Sequence, residues 1–168
     1  MRKSFSYRAL TIVALCVVVA DQLTKYWILS NFSLYETRAV IPGFFNLVNI
    51  RNTGAAFGLF AGNESGWRTL FFGTIALIAV FAIIFLFKHY RQRGSLYVYA
   101  LSCIAGGAIG NLIDRVRFGA VVDFLDFYVG QYHWPAFNVA DSAIVVGVGL
   151  FLLGNFIHPE MNESSDKY

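Results

Sequence analysis

Long runs of apolar side chains dominate the pattern along the chain: Ala9 to Leu29, Trp67 to Phe87, Leu96 to Asp114 and Val139 to Ile157, of 21, 21, 19 and 19 residues. A helix rising 1.5 Å per residue needs about 20 residues to cross a hydrocarbon core about 30 Å thick. Lipid offers backbone groups no hydrogen-bond partners, so runs of this kind must be helical. The pattern therefore predicts a membrane all-α protein: one integral-membrane domain over 1–168, with four transmembrane helices at about 9–29, 67–87, 96–114 and 139–157. Taken locally, the first run reads equally well as a cleavable signal peptide, with Arg2, Lys3 and Arg8 ahead of it and a small-residue Val18-Val19-Ala20 within it. Tyr26 to Leu29 continue the apolar pattern past that point, interrupted only by Asp21 and Lys25, and favour a retained helix.

The polar positions between the runs give an orientation. Arg2, Lys3 and Arg8 precede the first run, and Lys88, Arg91 and Arg93 crowd the short second connection, so these segments are expected in the cytoplasm. The longer connections 30–66 and 115–138 are then outer loops, and both termini are inside. The first outer loop changes texture: Thr37 to Ile41, a Pro42-Gly43 turn signal, and the partly alternating Phe45 to Arg51 predict a small antiparallel extracytoplasmic sheet. Its aromatics Phe32, Tyr35, Phe44, Phe45, Phe57 and Phe60 suit either a small core or the lipid–water boundary.

Composition agrees with the pattern. Of 168 residues 57% are hydrophobic and 14% charged, against about 45–50% and about 25% in soluble domains. The net charge of +3, from 13 basic and 10 acidic residues, is too small and scattered for a nucleic-acid surface. Cys16 and Cys103 lie inside apolar runs and read as packing residues, with neither a disulfide nor a metal site expected.

Ionisable groups within spans are costly and usually face the bundle interior or a wet cavity. On this topology they collect toward the outer leaflet. Asp21 and Lys25 share a face at i, i+4; Asn111, Asp114 and Arg115 end the third span; Asn138 and Asp141 open the fourth; Asp123 and Asp126 lie in the second outer loop. Ordinary structural roles cover most of them. Asp21 with Lys25 suits an ion pair, Asn138 an N-cap, Asp141 the helix dipole, Asp126 a water-facing position, and Gly106 with Gly110 close helix packing within the bundle or between copies. Asp123 fits no such role, because Val121-Val122-Asp123-Phe124-Leu125 sets a carboxylate in an apolar stretch with no adjacent base. A carboxylate so placed prefers a proton or a shared one. Were Asp123 to meet Asp141, the pair could divide the roles of base and acid as aspartic proteases do, although spacing alone does not bring them together.

Other chemistries lack their residues. There is no His-Glu-x-x-His, and His89, His133 and His158 fall in separate segments. There is no Gly-x-Ser-x-Gly, and the glycines at 106–110 lack the flanking strand and the Lys-Ser or Lys-Thr of a phosphate loop. A proton- or ion-coupled transporter subunit would also hold acids in a bundle, but its site belongs near the midplane at repeat-related broken helices, and no repeat is visible. A purely structural scaffold leaves Asp123 unexplained.

Five motifs in order, Asp21-Gln22-Leu23-Thr24-Lys25, Asn52-Thr53-Gly54-Ala55-Ala56-Phe57-Gly58, Gly106 to Arg115, Val121-Val122-Asp123-Phe124 and Phe137 to Ser142, closely resemble those of the bacterial lipoprotein signal peptidases, signal peptidase II. The resemblance implies an aspartic endopeptidase of the bacterial inner membrane. Such an enzyme removes the signal peptide from diacylglyceryl-modified prolipoproteins, N-terminal to the lipidated cysteine. It implies Asp123 and Asp141 as the catalytic dyad, Asn111 and Arg115 contacting the substrate backbone, and Asn138 positioning Asp141. Asp21, Lys25, Asn52, Gly54, Asp114 and Ala140 are implied as supporting or substrate-cradling positions, and the sheet-bearing loop as a cradle for substrate. The same resemblance implies prolipoprotein and membrane lipid as partners, function as a monomer, and neither metal nor cofactor. Which aspartate carries the proton stays open.

Overall fold

The computed structural model describes residues 7–53 and 66–157. Four helices, α1 (Tyr7–Asn31), α2 (Gly66–Tyr90), α3 (Ser95–Phe118) and α4 (Val139–Ile157), are joined to four strands, β1 (Thr37–Ile41), β2 (Phe45–Asn52), β3 (Val121–Val129) and β4 (Tyr132–His133). All four helices contain windows long and apolar enough to cross a membrane. The first runs unbroken through Val18-Val19-Ala20. Lys88 lies in the last turn of α2, where a cation offsets the helix dipole, and Gly119 in the left-handed conformation ends α3 by donating its N–H to the Arg115 carbonyl at 3.0 Å.

The third helix is the hub. It packs against α1, α2 and α4, and most of its apolar window is buried, whereas the other three turn most of their surface outward. Small residues make this possible. A Cβ on Gly106 would meet the Ala14 carbonyl oxygen at 2.8 Å, one on Gly110 would meet the Asp21 carboxylate at 2.6 Å, and Gly107 abuts the Ala140 carbonyl. The Gly106–Gly110 spacing thus serves packing within this bundle, with both α1 and α4. Gly147 answers from α4, where a Cβ would meet the Ala100 carbonyl oxygen of α3 at 2.7 Å. At the end remote from the sheet, Phe87, Val98 and Leu101 form a core that Tyr90 and Phe151 join.

The sheet runs in the order β1-β2-β3-β4, every pair antiparallel. Gly43, with φ +82°, turns β1 into β2 where Pro42-Gly43 signalled it. The first connection supplies half of this sheet, and the second supplies β3 and β4. The sequence pattern predicts no strand in the second connection, because Val121 to Asp126 is buried on both faces except at Leu125 and so lacks the alternation of a half-exposed strand. The bundle meets the sheet through Ile28 and Phe32 of the α1 end packed on Val122 and Phe124. The Leu125–Phe137 bridge then leads the chain into α4.

Other boundaries move. The third helix continues past Asp114 to Phe118, so Arg115 and Arg117 are helical and not part of a loop. Asp126, expected to face water, is buried, with its carboxylate accepting from Asn46 Nδ2 at 2.8 Å and lying 2.8 Å from His133 Nδ1. Cys16 points outward and Cys103 is half-buried, so only the latter packs as expected. Among the aromatics, Phe32 is buried and Phe45 stacks on Phe127 at 4.6 Å, whereas Tyr35 and Phe44 are exposed. Phe57, Phe60 and His158 lie outside the described residues.

Candidate active site

Asp123 stands on β3 opposite Ile50 of β2, and Asn52, two residues along on the same face, donates its Nδ2 to Asp123 Oδ2 at 3.0 Å. Asn138, the residue before α4, fills two positions at once. Its Oδ1 accepts the Asp141 backbone N–H at 2.9 Å, an N-cap bond, while its Nδ2 donates to Asp123 Oδ1 at 2.8 Å and to the Val122 carbonyl at 3.2 Å. One fully buried amide therefore ties the strand acid to the first turn of the helix that carries Asp141. The Asp141 carboxylate accepts from Asn111 Nδ2 at 2.7 Å. Asn111 Oδ1 accepts in turn from Lys25 Nζ at 3.1 Å and lies 3.4 Å from Asn138 Nδ2.

Burial, reinforced by the charge of Asp141, pushes Asp123 up to about 7 from the usual carboxylate range. The amide bonds from Asn52 and Asn138 and the charge of Lys25 oppose that rise. Arg115, whose Nη1 is 3.4 Å from the Asn111 carbonyl, lies in the field of Asp141, Asp123 and Asp114. Two carboxylates in mutual electrostatic contact, each held by a side-chain amide, can share one proton and so offer a base and an acid together.

Beneath them is a buried charge cluster. Lys25 Nζ is 2.9 Å from Asp21 Oδ2 and 2.9 Å from Asp114 Oδ2, and all three side chains are at most 2% exposed. Asp21 Oδ1 accepts the Ala140 N–H at 2.9 Å, and Asp114 Oδ2 accepts the Val122 N–H at 3.0 Å. Gln22 Nε2 completes the cluster, donating to Asp114 Oδ1 at 3.0 Å and to the Gly110 carbonyl at 3.2 Å.

Of the positions singled out in the sequence, Asp21, Lys25, Asn52, Asn111, Asp114, Arg115, Asp123, Asn138, Ala140 and Asp141 come together, while Gly54 lies outside the described residues. Sequence reasoning misses Gln22, although its place inside the Asp21 to Lys25 motif could have marked it. It also misses the Asn46–Asp126–His133 group, because nothing local links three residues on β2, β3 and β4. Among the described residues no set of three or more His, Cys, Asp or Glu side chains is arranged to hold a metal ion.

The family model for signal peptidase (SPase) II matches residues 13–157 of the chain. A lipoprotein signal peptidase of Syntrophotalea carbinolica is 51% identical over 154 residues, covering 92% of this chain and 94% of that protein. One of Syntrophus aciditrophicus is 48% identical over 153 residues, with 91% and 94% covered. A solved bacterial membrane enzyme superposes with a TM-score of 0.81 at 34% identity, over 100% of this chain and 96% of that one.

Proposed function

The chain belongs to the signal peptidase (SPase) II family, and from that premise we propose that it is an aspartic endopeptidase of the bacterial inner membrane. Its reaction is removal of the signal peptide from diacylglyceryl-modified prolipoproteins on the N-terminal side of the lipidated cysteine, with Asp123 and Asp141 as the dyad. The observation that carries the proposal is the Asn138 side chain, which bonds Asp123 through its amide nitrogen and the Asp141 backbone through its amide oxygen.

The environments divide the roles. Asp141 stands in the first turn of α4, where the helix dipole favours a negative charge. Asp123 is lifted toward neutrality by burial and by Asp141 itself, so up to about pH 7 the shared proton rests on Asp123. Asp141 then takes a proton from the attacking water, and Asp123 donates to the oxygen of the scissile carbonyl. As the tetrahedral intermediate breaks down, the proton gained by Asp141 passes to the leaving amine and one hydroxyl of the intermediate returns its proton to Asp123, which restores the dyad. Arg115, beside both acids, supports the developing negative charge and the substrate backbone. Neither metal nor cofactor takes part.

The basic residues at the α2–α3 turn, Lys88 in the last turn of α2 with Arg91 and Arg93 after it, support a cytoplasmic location for that end of the bundle. The sheet and both acids then lie at the outer membrane surface, where a signal peptide's cleavage site emerges beside its own lipid. The monomer holds every group this mechanism uses.

The test is cleavage of a diacylglyceryl-modified prolipoprotein and its unlipidated twin by the purified protein, beside Asp123→Asn and Asp141→Asn. The lipidated form alone should be cut. Each variant should lose about 10³-fold or more while still inserting and folding, because the acids act as a unit. Substantial cleavage by either folded variant removes that residue from the dyad.

A further inference from the structure

The buried cluster is arranged around the reacting pair with a symmetry that packing alone does not require. The N–H of Val122, the residue before Asp123, is held by Asp114 at 3.0 Å; the N–H of Ala140, the residue before Asp141, is held by Asp21 at 2.9 Å. Both carboxylates converge on one ammonium, that of Lys25, 2.9 Å from each. The third donor of that ammonium goes to Asn111 Oδ1 at 3.1 Å, and Asn111 itself holds the Asp141 carboxylate at 2.7 Å.

We propose that Lys25 is a positioning residue for the dyad: a fixed spacer whose three bonds set the distance between the β3 backbone under Asp123 and the α4 backbone under Asp141. The inference rests on the peptidase reading and deepens it.

Three physical points support the assignment. First, the two carboxylates that the ammonium holds each also hold a backbone amide next to one of the acids, so a shift of the ammonium is passed through them to main chain. Second, Asp21 of α1 bonds the α4 backbone directly at Ala140, and Lys25 of α1 reaches the β3 backbone through Asp114 of α3, from two buried positions on a helix whose other side chains are mostly exposed or half-buried. Stability alone does not account for an ion pair in an apolar bundle, since buried pairs rarely stabilise more than well-packed apolar side chains of the same volume. Third, the ammonium also acts electrostatically. Its charge opposes the rise that burial and Asp141 impose on Asp123. The charged and polar groups facing Asp123 from the surrounding elements are Lys25 of α1, Arg115 of α3, Asp141 of α4, and the amides of Asn52 and Asn138.

The test uses the full chain and the lipidated prolipoprotein, with kcat and KM measured across pH for wild type, Lys25→Met and Lys25→Arg. Met removes the charge and the bonds at similar length. Its kcat should fall about 10²-fold, the loss expected when reacting groups are misplaced by about 1 Å, with KM little changed. The limb in which activity declines as Asp123 loses its proton should move to higher pH. A purely structural lysine would lower the folded fraction and leave that limb in place, and an unmoved limb or a wild-type kcat in the folded Met variant overturns the proposal. Should Lys25→Met fail to fold, Lys25→Arg decides. Its charge is kept but its reach and fork geometry differ, so kcat should fall with the limb unmoved, and a wild-type kcat in the folded Arg variant overturns the proposal. Wild-type protein that cleaves nothing defeats the peptidase reading instead, which keeps the two failures apart.

Discussion

Asp123 is the residue whose ionisation the fold alters most clearly, and the direction has a consequence for stability. Its carboxyl is raised to about 7 from 3.8, first by burial and then by the charge of Asp141. A carboxyl raised on folding binds its proton more tightly in the native state than in the unfolded one. Its contribution to stability is therefore fully present below pH 3.8 and is lost as pH rises through about 7. Thermal unfolding of the detergent-solubilised protein should show wild type losing stability between about pH 4 and about pH 7 relative to Asp123→Asn, which carries no titrating group at that position. Parallel curves for the two proteins would refute that assignment. The abnormality of this position is visible in the sequence as an acid with apolar residues on both sides. The donors that help decide its ionisation are not, because Asn52 and Asn138 reach it from 71 and 15 residues away. Asp126 gives the opposite lesson. Its sequence surroundings resemble those of Asp123, and only the pairing of β3 with β2 on one side and β4 on the other sets it against Asn46 and His133.

Among the elements, α3 sets the tolerances. Gly107 faces the Ala140 backbone of α4, one residue before Asp141, and an added Cβ would also meet Ile144 Cγ1 at 2.7 Å. Gly107→Ala should cost about 1–3 kcal/mol, the usual penalty of overpacking, and should depress peptidase activity beyond the loss of folded protein by displacing the start of α4. Gly149→Ala is the matched control, since nothing lies within 4 Å of where its methyl group would stand and alanine is the better helix former. Melting temperatures and specific activities of the two variants test this, and equal behaviour would show that the α3–α4 approach is looser than these contacts imply. The glycine spacing announces close packing in the sequence, but not whether the partner is another helix of the bundle or another copy. The four helices start within two residues of their predicted bounds and run up to four residues past them, because each satisfies its backbone internally and so carries its signal within itself. The strand β3 carries no such signal, since it is buried on both faces over most of its length and gains its identity from β2.

For the whole molecule, the proposed orientation sets the sheet outside and the α2–α3 turn inside. With Cys16 and Cys103 replaced by alanine, Tyr132→Cys, at a position 87% exposed on β4, should react with an impermeant maleimide on intact spheroplasts. Gln92→Cys, exposed in the basic turn, should react only after permeabilisation. The reverse pattern would invert the topology and move the acids to the cytoplasmic face. Contiguous residues are enough to define the four apolar helices, the β1–β2 hairpin, the end of the bundle at which polar residues collect, and, through five ordered motifs, the family. Apolar length, turn chemistry and basic clusters are local properties, and each is complete within its own segment. Long-range packing was needed to establish that Asp123 and Asp141 share Asn138, that β3 completes the sheet, and that Asp21 and Asp114 each hold a main-chain amide beside one of those acids. Those outcomes depend on registers and helix approaches between segments tens of residues apart, and such contacts are fixed only when the whole bundle closes on its buried charges.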